Sequence, residues 1–147
     1  ISAESAAISV GASKEQREAL RQFAEYLGIC FQIKDDIFDY SPNAQIGKPT
    51  LNDIREGKFT LPLIHALESI RANEASLILE SVKKRQFTED FFYNIGSLVA
   101  RTGGIEYAEQ RMTYYKEKAV LALSVFADGD IKQSLLNLLE FTIQRKK

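Results

Sequence analysis

The sequence predicts an all-α protein, and three observations carry that prediction. Apolar residues recur at three- and four-residue spacing, so that Leu20, Phe23, Leu27, Cys30 and Phe31 lie on one helical stripe. No run alternates apolar and polar residues between turn signals, as a half-buried strand would. Three prolines and eight glycines punctuate 147 residues, and most of them fall between the helical patterns.

The elements follow in order. Residues Ile1–Val10 already read as helix interior with no cap before them, and Gly11-Ala12 offers a stop. Ser13 and Gln16 form a capping-box pair that opens a helix from Lys14 to about Tyr40. Two prolines and a glycine make Ser41–Leu51 a loop. Thr60 stands in capping position for a helix over 60–72, with Pro62 tolerated in its first turn and Leu63, Leu67 and Ile70 on one face. Helices are predicted at Glu74–Arg85, at Glu89–Arg101 capped by Thr88, and at Ile105–Phe126 after Gly103-Gly104. Asp128-Gly129-Asp130 makes a turn, and the last helix runs from Ile131 to about Arg145. No repeat, low-complexity tract or linker divides the chain. The expectation is six or seven helices in a single unit spanning residues 1–147.

Composition narrows the function classes. Nineteen Lys and Arg against 20 Asp and Glu give a net charge of −1, which argues against a nucleic-acid partner. The one cysteine, Cys30, has no internal disulfide partner and points to a reducing, cytoplasmic setting. No stretch approaches the roughly 18 apolar residues of a membrane-spanning helix.

The chemistry gathers in Phe31-Gln32-Ile33-Lys34-Asp35-Asp36-Ile37-Phe38-Asp39. On a helix, Asp35 and Asp39 share a face, Asp36 stands beside them, and the Gln32 amide joins the same stripe. Three carboxylates this close repel one another, and they sit at a helix end where the dipole is already negative. A bound cation would relieve both penalties. Oxygen donors without His or Cys suit a hard ion such as magnesium. The alternative is a solvated acidic helix end. Downstream, Gly47-Lys48-Pro49 and Asp53-Ile54-Arg55-Glu56-Gly57-Lys58 bring two lysines and an arginine within reach of that end. Cations on one side and a metal on the other can hold a diphosphate; the alternative for each lysine is a solvated surface charge. His65 lacks a metal-ligand partner pattern, and Cys30 lies on an apolar stripe, so both read as structural. Tyr107, Tyr114 and Tyr115 read as helix packing and surface.

The strings GICFQIKDDIFDY and IGKPTLNDIREGKFTLPLIHAL resemble the second aspartate-rich region of the trans-isoprenyl diphosphate synthases, the polyprenyl synthetases. Gly103-Gly104-Ile105 with Tyr107-Ala108, and the ending Phe141 to Lys147, resemble that family's carboxy-terminal helices. The tail is most similar to that of the bacterial medium- and long-chain synthases, the octaprenyl diphosphate synthases among them. The resemblance implies the all-α isoprenoid synthase fold, of which this chain would be the carboxy-terminal portion. It implies that Asp35, Asp36 and Asp39 match the acidic motif that binds Mg2+, the first of them ligating an ion that bridges the allylic diphosphate. Gln32 would line the same cavity, and Lys48 and Lys58 would contact the allylic diphosphate or its metals. Asp53 would lie near the metal cluster. The tail from Arg145 to Lys147 resembles a segment that closes over the diphosphate, against the alternative of a frayed solvated end. The implied reaction joins isopentenyl diphosphate to an allylic diphosphate and yields a longer polyprenyl diphosphate, in an enzyme that is commonly a homodimer.

The chain departs from the family in holding a single DDxxD. The family's first acidic motif, its following arginines and the isopentenyl diphosphate site would lie upstream of Ile1. The chain alone is therefore expected not to catalyse prenyl transfer. Two other readings stand beside this one: a non-catalytic helical subunit that retains a diphosphate pocket, and a class I terpene cyclase.

Overall fold

A computed structural model describes residues 2–41 and 51–145. Among them the chain forms α1 (Ser2–Ser9), α2 (Lys14–Tyr40), α3 (Asn52–Arg55), α4 (Leu61–Glu68), α5 (Ala72–Lys83), α6 (Glu89–Arg101), α7 (Gly104–Ala122) and α8 (Asp130–Gln144), with a 3-10 turn at Leu123–Val125. The described residues contain no strand, and none of their helices is long and apolar enough to cross a membrane. Two compact units share the chain, one from residues up to Lys34 and from Arg111 on, the other from Asp35 to Gln110.

The first unit holds α1, most of α2, the end of α7 and α8. The capping box forms as expected: the Gln16 N–H donates to Ser13 Oγ at 3.2 Å, and the Ser13 N–H donates to Gln16 Oε1 at 3.0 Å. Ala19, Phe23, Cys30 and Ile33 supply the buried stripe of α2 in this unit. The Cys30 thiol is fully buried, donates to the Met112 carbonyl at 3.5 Å, and is pushed up to about 11, chiefly by burial. Lys116 of α7 pairs with Glu140 of α8 at 2.6 Å. Arg145 folds back onto α2, with its guanidinium over the Phe31 ring at 4.0 Å and donating to the Phe31 carbonyl at 3.1 Å. Its charge is thus docked on the helix rather than frayed into solvent; Lys146 and Lys147 lie outside the described residues.

The second unit packs around Tyr40, Leu51, Ile54, Leu63, Ala66, Val82, Ile95, Leu98 and Val99. Phe87, Phe91 and Phe92 cluster against this core with ring centroids 5.3 to 5.6 Å apart. Thr88 caps α6 by accepting the Phe91 N–H at 3.1 Å. His65 stacks on Tyr107 with centroids 4.3 Å apart and planes 10° from parallel, a packing contact between α4 and α7.

Several sequence expectations need correction here, among them the helix expected over Ile105–Phe126, which ends at Ala122 and gives way to the 3-10 turn at Leu123–Val125. The helix expected over 60–72 ends at Glu68, where the Ser69 hydroxyl and N–H both turn back to the His65 carbonyl. The next helix starts at Ala72, and its last residue is Lys83 because Arg85 takes a left-handed conformation, φ +52°, and donates to Val82. Thr60 occupies the N-cap position of α4 but provides no cap; its hydroxyl bonds that of Tyr40 at 2.8 Å.

Candidate functional site

The last two turns of α2 carry the acidic motif into the second unit. Asp35 is half-buried, while Asp36 and Asp39 keep only 9% and 7% exposure. Buried carboxylates require donors, and backbone amides supply them. Asp36 Oδ2 accepts the Leu61 N–H at 3.0 Å. Asp39 Oδ1 accepts the Asn52 N–H at 2.8 Å, and its Oδ2 accepts the Asp53 N–H at 3.1 Å. The penalty of acids at a helix C-terminus is thereby offset by the positive N-terminal ends of α3 and α4.

Both ends of the 51–61 segment are consequently tied to α2, and the segment presents its own charges beside the motif. Gly57, at φ +81°, lets the chain turn after α3, and the Lys58 N–H closes that turn on the Asp53 carbonyl at 2.8 Å. The Lys58 ammonium lies 2.6 Å from Glu56 Oε2 and 3.5 Å from Asp53 Oδ1. The Asp53 carboxyl titrates above its ordinary range because burial and the neighbouring Asp39 disfavour its charge, against an opposing pull from Lys58. Burial likewise raises the Tyr40 phenol, with added repulsion from Asp39, Asp36 and Asp53. Negative charge is concentrated here.

Other residues read from the sequence lie elsewhere. Arg55 does not turn to the acidic end: its guanidinium sits over the Phe92 ring at 3.8 Å from the centroid. Gln32 is exposed on α2 within the first unit. Lys48, with the rest of residues 42–50, lies outside the described residues. Sequence reasoning missed Tyr40, Thr60 and Glu56, whose partners are set by the folded geometry; only the Glu56–Lys58 pair had a local signal, its two-residue spacing.

Among the described residues, no three acidic, histidine or cysteine side chains converge closely enough to cage a metal. The donor chemistry nevertheless fits one kind of ion. Magnesium usually takes one or two carboxylates and completes its shell with water and phosphate oxygens. Oxygen-only donors beside an ammonium group match that mode.

Comparison with known proteins gives the chain a family. Residues 1–94 match the polyprenyl synthetase family model. The chain is 34% identical to octaprenyl diphosphate synthase of Haemophilus influenzae, over 99% of its own length and 44% of the relative's. The crystal structure of geranylgeranyl pyrophosphate synthase from Bacteroides thetaiotaomicron matches with a TM-score of 0.87 at 41% identity, covering 97% of this chain and 47% of that one. A polyprenyl synthase from Caulobacter crescentus, complexed with calcium and isoprenyl diphosphate, matches with a TM-score of 0.82 at 33% identity, covering 98% and 44%. The chain thus spans under half the length of these relatives. With a family model matched over most of its residues and the fold shared throughout, the chain belongs to the polyprenyl synthetase family.

Proposed function

We propose that this chain forms the diphosphate-binding wall of a prenyl chain-elongating synthase, which joins isopentenyl diphosphate to an allylic diphosphate. The observation that carries the reading is the pinned 51–61 segment, which sets Asp53 and Lys58 beside the buried acidic end of α2.

In this reading Asp35, Asp36 and Asp39 make up the Mg2+-binding motif. When bound, the divalent cation supplies charge neutralisation to the leaving diphosphate. Lys58 places its ammonium against diphosphate oxygens, and Lys48 does the same by family resemblance. Their charge favours the state in which the allylic C–O bond breaks and its electron pair leaves on oxygen. The isopentenyl double bond then attacks the allylic carbon, and loss of a proton completes a product five carbons longer. No side-chain nucleophile is required. Similarity to octaprenyl diphosphate synthase supports a medium- or long-chain product. The working enzyme is proposed to be a homodimer.

The purified 147-residue chain is expected to bind magnesium with inorganic diphosphate and not to elongate prenyl chains. A chimera in which it replaces the matching segment of the Bacteroides enzyme should elongate them, and Asp35→Asn should abolish that activity. A well-folded chimera that does not elongate would overturn the reading.

A further inference from the structure

We propose that the surface pocket between the 56–59 turn and the end of α5 binds an anionic amphiphile, a phosphate head on a short apolar tail. This site draws on none of the carboxylates of the acidic motif and needs no metal.

The pocket has a volume of 440 Å³ and lies wholly within the second unit. Its lining is apolar at Phe59, Leu79 and Val82, and the first two of these expose their side chains to solvent. Lys83 and Arg85 supply its positive charge. Among the described residues neither of them forms a salt bridge, whereas Lys84 between them pairs with Glu80 at 2.9 Å. Glu56 is the carboxylate in the lining, and it is already matched by Lys58 at 2.6 Å. Two unmatched cations beside exposed apolar surface suit a phosphate that carries a hydrocarbon.

Arg85 is the more telling of the two cations. Helix α5 ends in a Schellman arrangement, in which the Gln86 N–H donates to the Ser81 carbonyl at 3.0 Å and the Arg85 N–H to the Val82 carbonyl at 3.1 Å. That arrangement needs a left-handed residue after the cap, and Arg85 takes the position at φ +52°. Glycine suits such a position because it has no Cβ to strain. The helix dipole accounts for a cation in the last turn, where Lys83 stands, but not for a long side chain on a left-handed residue. The chain thus keeps a guanidinium at the pocket where folding alone favours glycine. A guanidinium is also the group whose fork of donors matches phosphate oxygens.

The test uses the full chain in magnesium-free buffer with a chelator, so that no metal loads the acidic motif. The probes are octyl phosphate below its micelle concentration and inorganic phosphate, titrated by calorimetry and by amide NMR. Octyl phosphate should bind at least tenfold more tightly than inorganic phosphate, through burial of a few methylenes, and should shift the amides of Gly57, Val82 and Arg85. Lys83→Gln should weaken octyl phosphate by about fivefold. Arg85→Gly should weaken it by about tenfold and at the same time raise the urea midpoint, which separates loss of the ligand from loss of the fold. Vesicles of phosphatidylcholine with phosphatidic acid distinguish the source of the phosphate. With octyl phosphate bound, cosedimentation that Arg85→Gly removes makes the ligand a lipid headgroup, and no cosedimentation makes it a free organic phosphate. The proposal is overturned if octyl phosphate binds no more tightly than inorganic phosphate, or if Lys83→Gln and Arg85→Gly bind it as the wild type does. Cosedimentation without octyl phosphate binding overturns it as well, since the attraction would then belong to the surface and not to the pocket.

Discussion

Gly104 approaches Pro62 so closely that a β-carbon on it would stand 2.5 Å from the Pro62 carbonyl oxygen. The obstacle is backbone, which cannot swing aside as a side-chain tip can. Gly103 before it has φ +71°, so the pair does two jobs: one residue makes the turn and the other lets α7 start against α4. Gly104→Ala should destabilise the fold by about 1–3 kcal/mol, as overpacking does. Gly28, inside α2 with open space around it, is the control. Gly28→Ala should be neutral or stabilise by up to about 1 kcal/mol through helix propensity. Urea unfolding of both variants checks the contrast.

Thr60 and Thr88 present the same local pattern, a threonine before a helix, yet only Thr88 caps. Thr88→Ala should cost about 1 kcal/mol. Thr60 instead bonds Tyr40, so Tyr40→Phe and Thr60→Val remove one shared bond. Each should cost about 1 kcal/mol, and the double variant should cost little more than either one. A double-mutant cycle in urea measures this; full additivity would exclude the bond.

The threonines show where the sequence is legible. A helix period is local, so α2 and α6 were readable to the residue from spacing and caps. Helix α3 has four residues and no period to read; it exists because Asp39, 13 and 14 positions away, accepts its first N–H groups. The break at 69–71 was hidden because Ile70 continues the apolar stripe of α4 while serving the core from beyond the helix end. The carboxylate cluster was visible as a pattern of charge. Its backbone amide partners were not, because the Leu61 donor lies 25 residues from Asp36.

Cys30 gives a pH-dependent readout of the first unit. A thiol held near 11, against an ordinary value of about 9, has a thiolate fraction about a hundredfold lower at pH 8. Its alkylation by iodoacetamide should be slower in the native chain by at least that factor and become fast in denaturant. The sign for stability follows from the raised value. The neutral thiol contributes fully below the unfolded pKa, and that contribution is lost as pH rises through about 9 to 11. Cys30→Ala should flatten the decline in stability over that window, which unfolding midpoints across pH would reveal.

Glu56 competes with any anion for Lys58. Their ion pair at 2.6 Å is shorter than the one Lys58 makes with Asp53, and the lysine holds the Glu56 carboxyl below its ordinary range. Both side chains are well exposed, so the pair itself adds little to stability. Its consequence is for ligand binding: an ammonium engaged by a carboxylate must leave it, or share itself, to meet a diphosphate oxygen. Glu56→Gln should therefore tighten binding of magnesium with inorganic diphosphate by roughly threefold at low ionic strength, with the gain shrinking as salt screens the charges. Lys58→Gln should weaken binding by about tenfold, and the double variant should resemble Lys58→Gln, because without the ammonium there is nothing to compete for. Calorimetric titrations at two ionic strengths separate these outcomes. Equal tightening by Glu56→Gln with and without Lys58 would mean that the glutamate repels the ligand directly and that the ion pair has no part in it.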